Sequence, residues 1–121
     1  MKASTAIVFI ASCVLHVTCA HASPSGKPIE IKDGFLTVES YRQLSAPTKR
    51  GYVMGFVDAM LVSPVFGTPK REVVWLDRCV VGMSDMQLVA IVDKWLADNP
   101  SQWHYQMHFL VYSAIKQACQ H

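Results

Sequence analysis

The sequence predicts a small all-α domain of four to five helices, bundle-like or orthogonal, closed by one disulfide. Three observations carry that expectation. Apolar residues recur at helical period in several segments, N-cap residues stand in front of them, and two cysteines remain once an N-terminal signal is removed.

The signal comes first in the chain. Lys2 supplies a positive start, Ala3 to Val17 is mostly apolar, and Ala20-His21-Ala22 places small residues at −3 and −1 of a cleavage site. The apolar run is short for a bilayer span, which weighs against an uncleaved anchor. Ile10-Ala11-Ser12-Cys13 resembles a lipobox, but cleavage there would leave a very short signal. Residues 1–22 are therefore expected to be removed after Ala22 and the mature chain to be exported, with no membrane attachment. A polar leading segment with two prolines follows over residues 23–33, and one helical domain over residues 34–121.

The chain of 121 residues has 11 basic and 9 acidic side chains, and the signal contains only Lys2 among them. The near-balance gives no electrostatic case for nucleic acid or an anionic membrane. Cys13 and Cys19 leave with the signal. Cys79 and Cys119 remain, and in an exported chain an even pair reads most simply as a disulfide. It would close a loop of about 40 residues, worth about 4 kcal/mol in the chain-entropy model. Two free thiols are the alternative.

The first helix is expected around Val38 to Leu44, with Thr37 as N-cap. In the second, Ser45 caps, Pro47 sits in the first turn, and Tyr52, Val53, Phe56, Val57 and Met60 form one face before Pro64 stops it. Gly51, Gly55 and Ala59 repeat every four residues beside Val62. That row either admits another helix at close range or is incidental. Residues 63–83 read as one long irregular stretch, with Val73-Val74-Trp75-Leu76 as a short strand or a single helical turn. Ser84-Asp85-Met86-Gln87 is a capping box, followed by Leu88, Ile91, Val92, Trp95 and Leu96, with Asp93 and Lys94 facing away. The last helix is expected to begin at Asn99-Pro100, with Trp103, Met107, Leu110, Val111, Ala114 and Ala118 as its core stripe. Its other side carries Tyr105, Phe109 and Tyr112, so it is either the central helix or meets another subunit or a partner there.

Catalytic signatures are sparse. The sequence has no Gly-rich phosphate loop, GxSxG elbow or HExxH. His104 and His108, with His121, are the best available metal set. They flank an apolar stripe, and boundary histidines explain them more simply than a zinc site. Asp58 lies in an apolar helix with no evident partner, and Ser63, Ser84 and Ser113 have no acid–base set near them in sequence. The expectation is a protein that is not an enzyme and uses no metal or cofactor. A partner surface is expected instead between Val65 and Trp75, where Val65, Phe66, Lys70, Arg71 and Trp75 mix basic and apolar side chains with turn residues.

Gly51-Tyr52-Val53-Met54-Gly55-Phe56-Val57-Asp58-Ala59, then Cys79, Ser84 to Leu88, Trp95-Leu96, Asn99-Pro100 and Ala118-Cys119 give the chain an order and spacing that resembles the Rap/Tai immunity proteins. The resemblance runs from about Gly34 to Cys119. Family members with further cysteines near the first two helices differ from this chain, and Val80-Val81 stand where a proline usually follows the Cys. The resemblance implies a small exported helical protein linked to type VI secretion, which binds and blocks a periplasmic cell-wall amidase toxin. It also implies a homodimer and an inhibitory surface in an interhelical loop. The alternative function is a small helical periplasmic chaperone of the HdeA type, in which acid would expose the Tyr105/Phe109/Tyr112 face.

Overall fold

Five α-helices and three short 3-10 turns make up the computed structural model, which describes residues 35–120. The signal, the lipobox, the leading segment and His121 lie outside the described residues. Among the described residues there are no strands, and no helix is long and apolar enough to cross a membrane.

Local capping chemistry starts the first two helices where the sequence places them. Thr37 Oγ1 accepts from the Ser40 N–H at 3.2 Å and opens α1, Val38–Arg42. Ser45 Oγ accepts from the Thr48 N–H at 3.3 Å and opens α2, Ala46–Val62, with Pro47 in the first turn. α2 runs into a 3-10 turn, Ser63–Phe66, and a second such turn spans Lys70–Glu72.

The stretch 63–83 is more ordered than its composition suggests. Val74–Val80 is a seven-residue helix, α3, and not the strand or single turn expected at Val73–Leu76. Val73 and Leu76 are buried there, so packing of these two side chains decides a backbone form that a run of β-formers leaves open. Gly82, at φ 84°, turns the chain toward α4, Asp85–Asp98. Its capping box is complete: Ser84 Oγ accepts from the Gln87 N–H, and Gln87 Oε1 accepts from the Ser84 N–H at 2.8 Å.

The last helix starts later than expected. Pro100–Gln102 forms only a 3-10 turn, and α5 is Met107–Ala118. The Asn99 side chain does not cap a following helix. It donates to the Trp95 carbonyl, and the Trp103 indole donates to the Leu96 carbonyl at 2.9 Å. Both residues thus satisfy the open carbonyls at the C-terminus of α4. Trp103 and Tyr105 consequently precede α5 and are not on its stripe.

α4 packs against both α2 and α5. The core joins Tyr41 of α1, Val53 and Val57 of α2, Leu76 of α3, Leu88, Val92 and Leu96 of α4, and Met107, Leu110, Val111, Ala114 and Ile115 of α5. Ile115, not Ala118, completes the last stripe, and Ala118 is exposed. The N–H of Met107 donates to the Leu36 carbonyl, tying the start of the described chain to the start of α5. Cys79 and Cys119 form the expected disulfide, with Cα atoms 5.7 Å apart, joining α3 to the end of α5.

The Tyr41 hydroxyl is enclosed without a hydrogen-bond partner. Burial, with the charge of nearby Asp93, pushes its phenol well above the ordinary 10.0, and burial raises Tyr52 as well. Unfolded phenols ionise first, so the stabilisation is complete below about pH 10 and is lost as pH rises toward the folded-state values. Tyr41→Phe is expected to leave stability at neutral pH unchanged or slightly raised, since it removes an unpartnered hydroxyl. It should also shrink the fall in thermal midpoint between about pH 9 and about pH 11. An alkaline fall as large as that of the parent protein would contradict this assignment.

The Gly51/Gly55/Ala59 row faces outward, and a Cβ added at either glycine meets nothing within 4 Å. Within one chain, then, the row admits no other helix. Gly51→Ala and Gly55→Ala are each expected to stabilise α2 by about 0.5–1 kcal/mol through lower backbone entropy of the unfolded chain. Urea unfolding measures this, and a loss of stability would show that the row is covered.

Candidate functional site

The expected partner surface lies at the C-terminal end of α2. The Ser63 hydroxyl donates to the Met60 carbonyl at 2.7 Å, and the chain tightens into the 3-10 turn Ser63–Phe66. Gly67, at φ 99°, returns its N–H to the Pro64 carbonyl, and the Thr68 N–H reaches the Ser63 carbonyl at 3.3 Å. These bonds fix a tight knuckle. On it Val65 is 77% and Phe66 82% exposed, the two most exposed large apolar side chains described. Two adjacent large apolar groups held so far into water on an ordered turn are available to a partner.

Lys70 and Arg71 follow on the second 3-10 turn and are exposed; Arg71 Nε lies 3.3 Å from Glu72 Oε1. Both partners are well exposed, so solvent and salt screen this pair. Trp75 differs from the other four. It is half-buried, its indole donates to the Glu72 carbonyl at 2.8 Å, and its ring meets Tyr112 edge-on at 6.0 Å. The indole therefore clamps the returning end of the loop to α5, and the disulfide holds the far end of α3 to the same helix. Tyr112 in turn accepts from Lys116 Nζ at 3.0 Å.

Tyr105, Phe109 and Tyr112 do not form one stripe. Tyr112 joins Trp75, whereas Tyr105 and Phe109 stand 50% and 56% exposed near the start of α5. Phe109 stacks on His108 at 4.2 Å, and His108 on Phe35 at 4.3 Å. Phe35, itself exposed, carries no sequence signal that pairs it with a helix far along the chain.

His104 and His108 do not share a helix. His104 lies in the turn before α5, with Nδ1 2.9 Å from the Ser101 carbonyl oxygen, and His108 sits between two phenylalanines. Among the described residues no three His, Cys, Asp or Glu side chains gather as a metal set would. The serines are engaged locally: Ser63 and Ser113 donate to backbone carbonyls, and Ser84 caps α4. Asp58 is solvent-exposed on α2.

An ordered helical core, a disulfide tying α3 to α5, and apolar side chains presented to solvent define a small helical protein. The family model described as Rap1a immunity proteins matches residues 33–119, and the chain belongs to that family. Immunity proteins act by binding a cognate toxin. No curated protein and no solved structure matches the chain.

Proposed function

We propose that the protein is exported, loses residues 1–22, and in the periplasm binds and blocks a cell-wall amidase toxin delivered by type VI secretion. It acts by occupancy, without turnover or cofactor. The observation that carries this reading is the family match over nearly all of residues 35–120, joined to an exposed Val65–Phe66 knuckle on the loop where the partner surface was expected. The knuckle fits an apolar cleft, and Lys70 and Arg71 fit an acidic rim beside it. Trp75 serves as the clamp that holds the loop in place.

The exposed Tyr105 and Phe109 support a homodimer whose face lies at the start of α5. No Asp or Glu occurs after Asp98, and interface cores are depleted of charge.

Deleting the gene should sensitise the producing strain to a toxin encoded beside it, and export of the chain should restore protection. Full resistance of the deletion strain to every neighbouring toxin would overturn the reading.

A further inference from the structure

A groove of about 530 Å³ lies at the other end of α2, lined by Arg42, Lys49, Asp93, Leu96, Pro100 and Trp103. Lys49 is 13 positions before Val62, about 20 Å along α2, so the groove is distinct from the knuckle beyond the helix end. Its size suits a small organic ligand. One wall is apolar and fixed: the Trp103 indole is anchored by its bond to the Leu96 carbonyl. Two cations of unequal state line it as well, Arg42 beside the indole and Lys49.

Arg42 lies with its guanidinium 4.6 Å from the centre of the Trp103 ring, and among the described residues no carboxylate pairs with it. Glu39 is close in sequence and lines the adjoining hollow with Arg42, yet it forms no ion pair with it. Lys49 is mostly buried and sits 3.4 Å from both oxygens of Asp93, longer than the about 2.7–2.9 Å of a close charge-assisted bond. Its ammonium also lies over the Tyr41 ring, 4.9 Å from the centroid, so none of its contacts is a close charge-assisted bond. Contrary to the sequence reading, Asp93 faces α2 and not solvent alone. The buried Tyr41 hydroxyl lies near the same carboxylate, without a close hydrogen bond to it.

We propose that this groove binds an amphiphilic carboxylate, whose anionic end lies between Arg42 and Lys49 and whose apolar body lies on Ala97, Pro100 and the edge of Trp103. The incoming carboxylate replaces Asp93 at the lysine, and the part-exposed Asp93 carboxylate turns to solvent. The same chemistry is offered by a free organic acid and by the C-terminal end of an extended peptide. The site does not depend on the toxin-binding reading.

The test follows the Trp103 indole N–H by NMR in the purified mature protein, assigned with Trp103→Phe. The probes are 3-phenylpropionate, its neutral counterpart 3-phenylpropanol, inorganic phosphate, and acetyl-Ala-Phe with a free or amidated C-terminus. A saturable shift with 3-phenylpropionate is expected, at least about tenfold weaker with the alcohol and with phosphate. Arg42→Gln, an exposed change, should weaken the acid about tenfold or more. Asp93→Asn should tighten it by removing the competing anion, a gain that damage to the fold would not produce. Free-terminus peptide binding tightly while the amide does not would make a peptide end the source; 3-phenylpropionate binding at least as tightly would make it a free acid. Equal response to acid and alcohol, equal response to phosphate, or no change with Arg42→Gln would overturn the proposal.

Discussion

Replacing Cys79 and Cys119 together by serine is expected to lower the unfolding free energy by about 4 kcal/mol, the chain-entropy value for a loop of this length. The two cysteines are 40 positions apart, and between them lie α4, the 3-10 turn Pro100–Gln102 and α5. A domain of this size has only about 5–15 kcal/mol in total, so the loss should be visible as a large shift in urea midpoint. The effect should also be uneven. α3 has seven residues, too few to persist as an isolated helix. Without the covalent tie it is held by Val73, Leu76 and the edge of Trp75 against Tyr112. Amide exchange in 63–83 should therefore accelerate before that of α4 and α5. A stability change below about 1 kcal/mol, or uniform exchange, would contradict the role assigned to the disulfide.

The second large effect falls on binding and leaves the fold alone. Val65→Asp with Phe66→Asp is expected to reduce affinity for the cognate toxin by about 100-fold or more, the cost of losing a central apolar anchor and placing charge in its pocket. Both side chains are more than three-quarters exposed, so stability should change by no more than about 0.5 kcal/mol. Trp75→Ala makes the control. It removes a half-buried ring and its bond to the Glu72 carbonyl, so it should cost stability as well as binding. Calorimetric titration and urea unfolding on the same three proteins separate the roles. Unchanged affinity in the double aspartate variant would move the partner surface elsewhere.

Much of this architecture is legible in the sequence because helix starts are local chemistry. Thr37, Ser45 and Ser84 each cap within three residues of themselves, so these starts need no distant contact to be read. The α4 stripe is equally plain, since Leu88, Val92 and Leu96 are buried where a 3.6-residue period puts them. The late start of α5 is not legible. Asn99-Pro100 with Gln102 has the form of a helix N-terminus, but the Asn99 amide and the Trp103 indole turn back to close α4 instead. α3 is hidden for a different reason. Four apolar residues carry no period long enough to tell helix from strand, and only burial of Val73 and Leu76 resolves them. Of the candidate site, Val65 and Phe66 are readable as apolar residues set among turn formers. The clamp role of Trp75 depends on Tyr112, which lies 37 positions away. The Lys49–Asp93 pair is likewise invisible in one dimension, because its members sit on different helices.

The central claim is that this protein acts by occupying its toxin. Titrating the purified mature protein against a fixed amount of the neighbouring cell-wall amidase, with release of cleaved cell-wall peptide as readout, tests it most directly. Hydrolysis should fall in proportion to added protein and reach zero near one chain per toxin. Undiminished hydrolysis in excess protein would contradict binding as the mechanism, and complete loss at a small fraction of one equivalent would mean that the protein turns over.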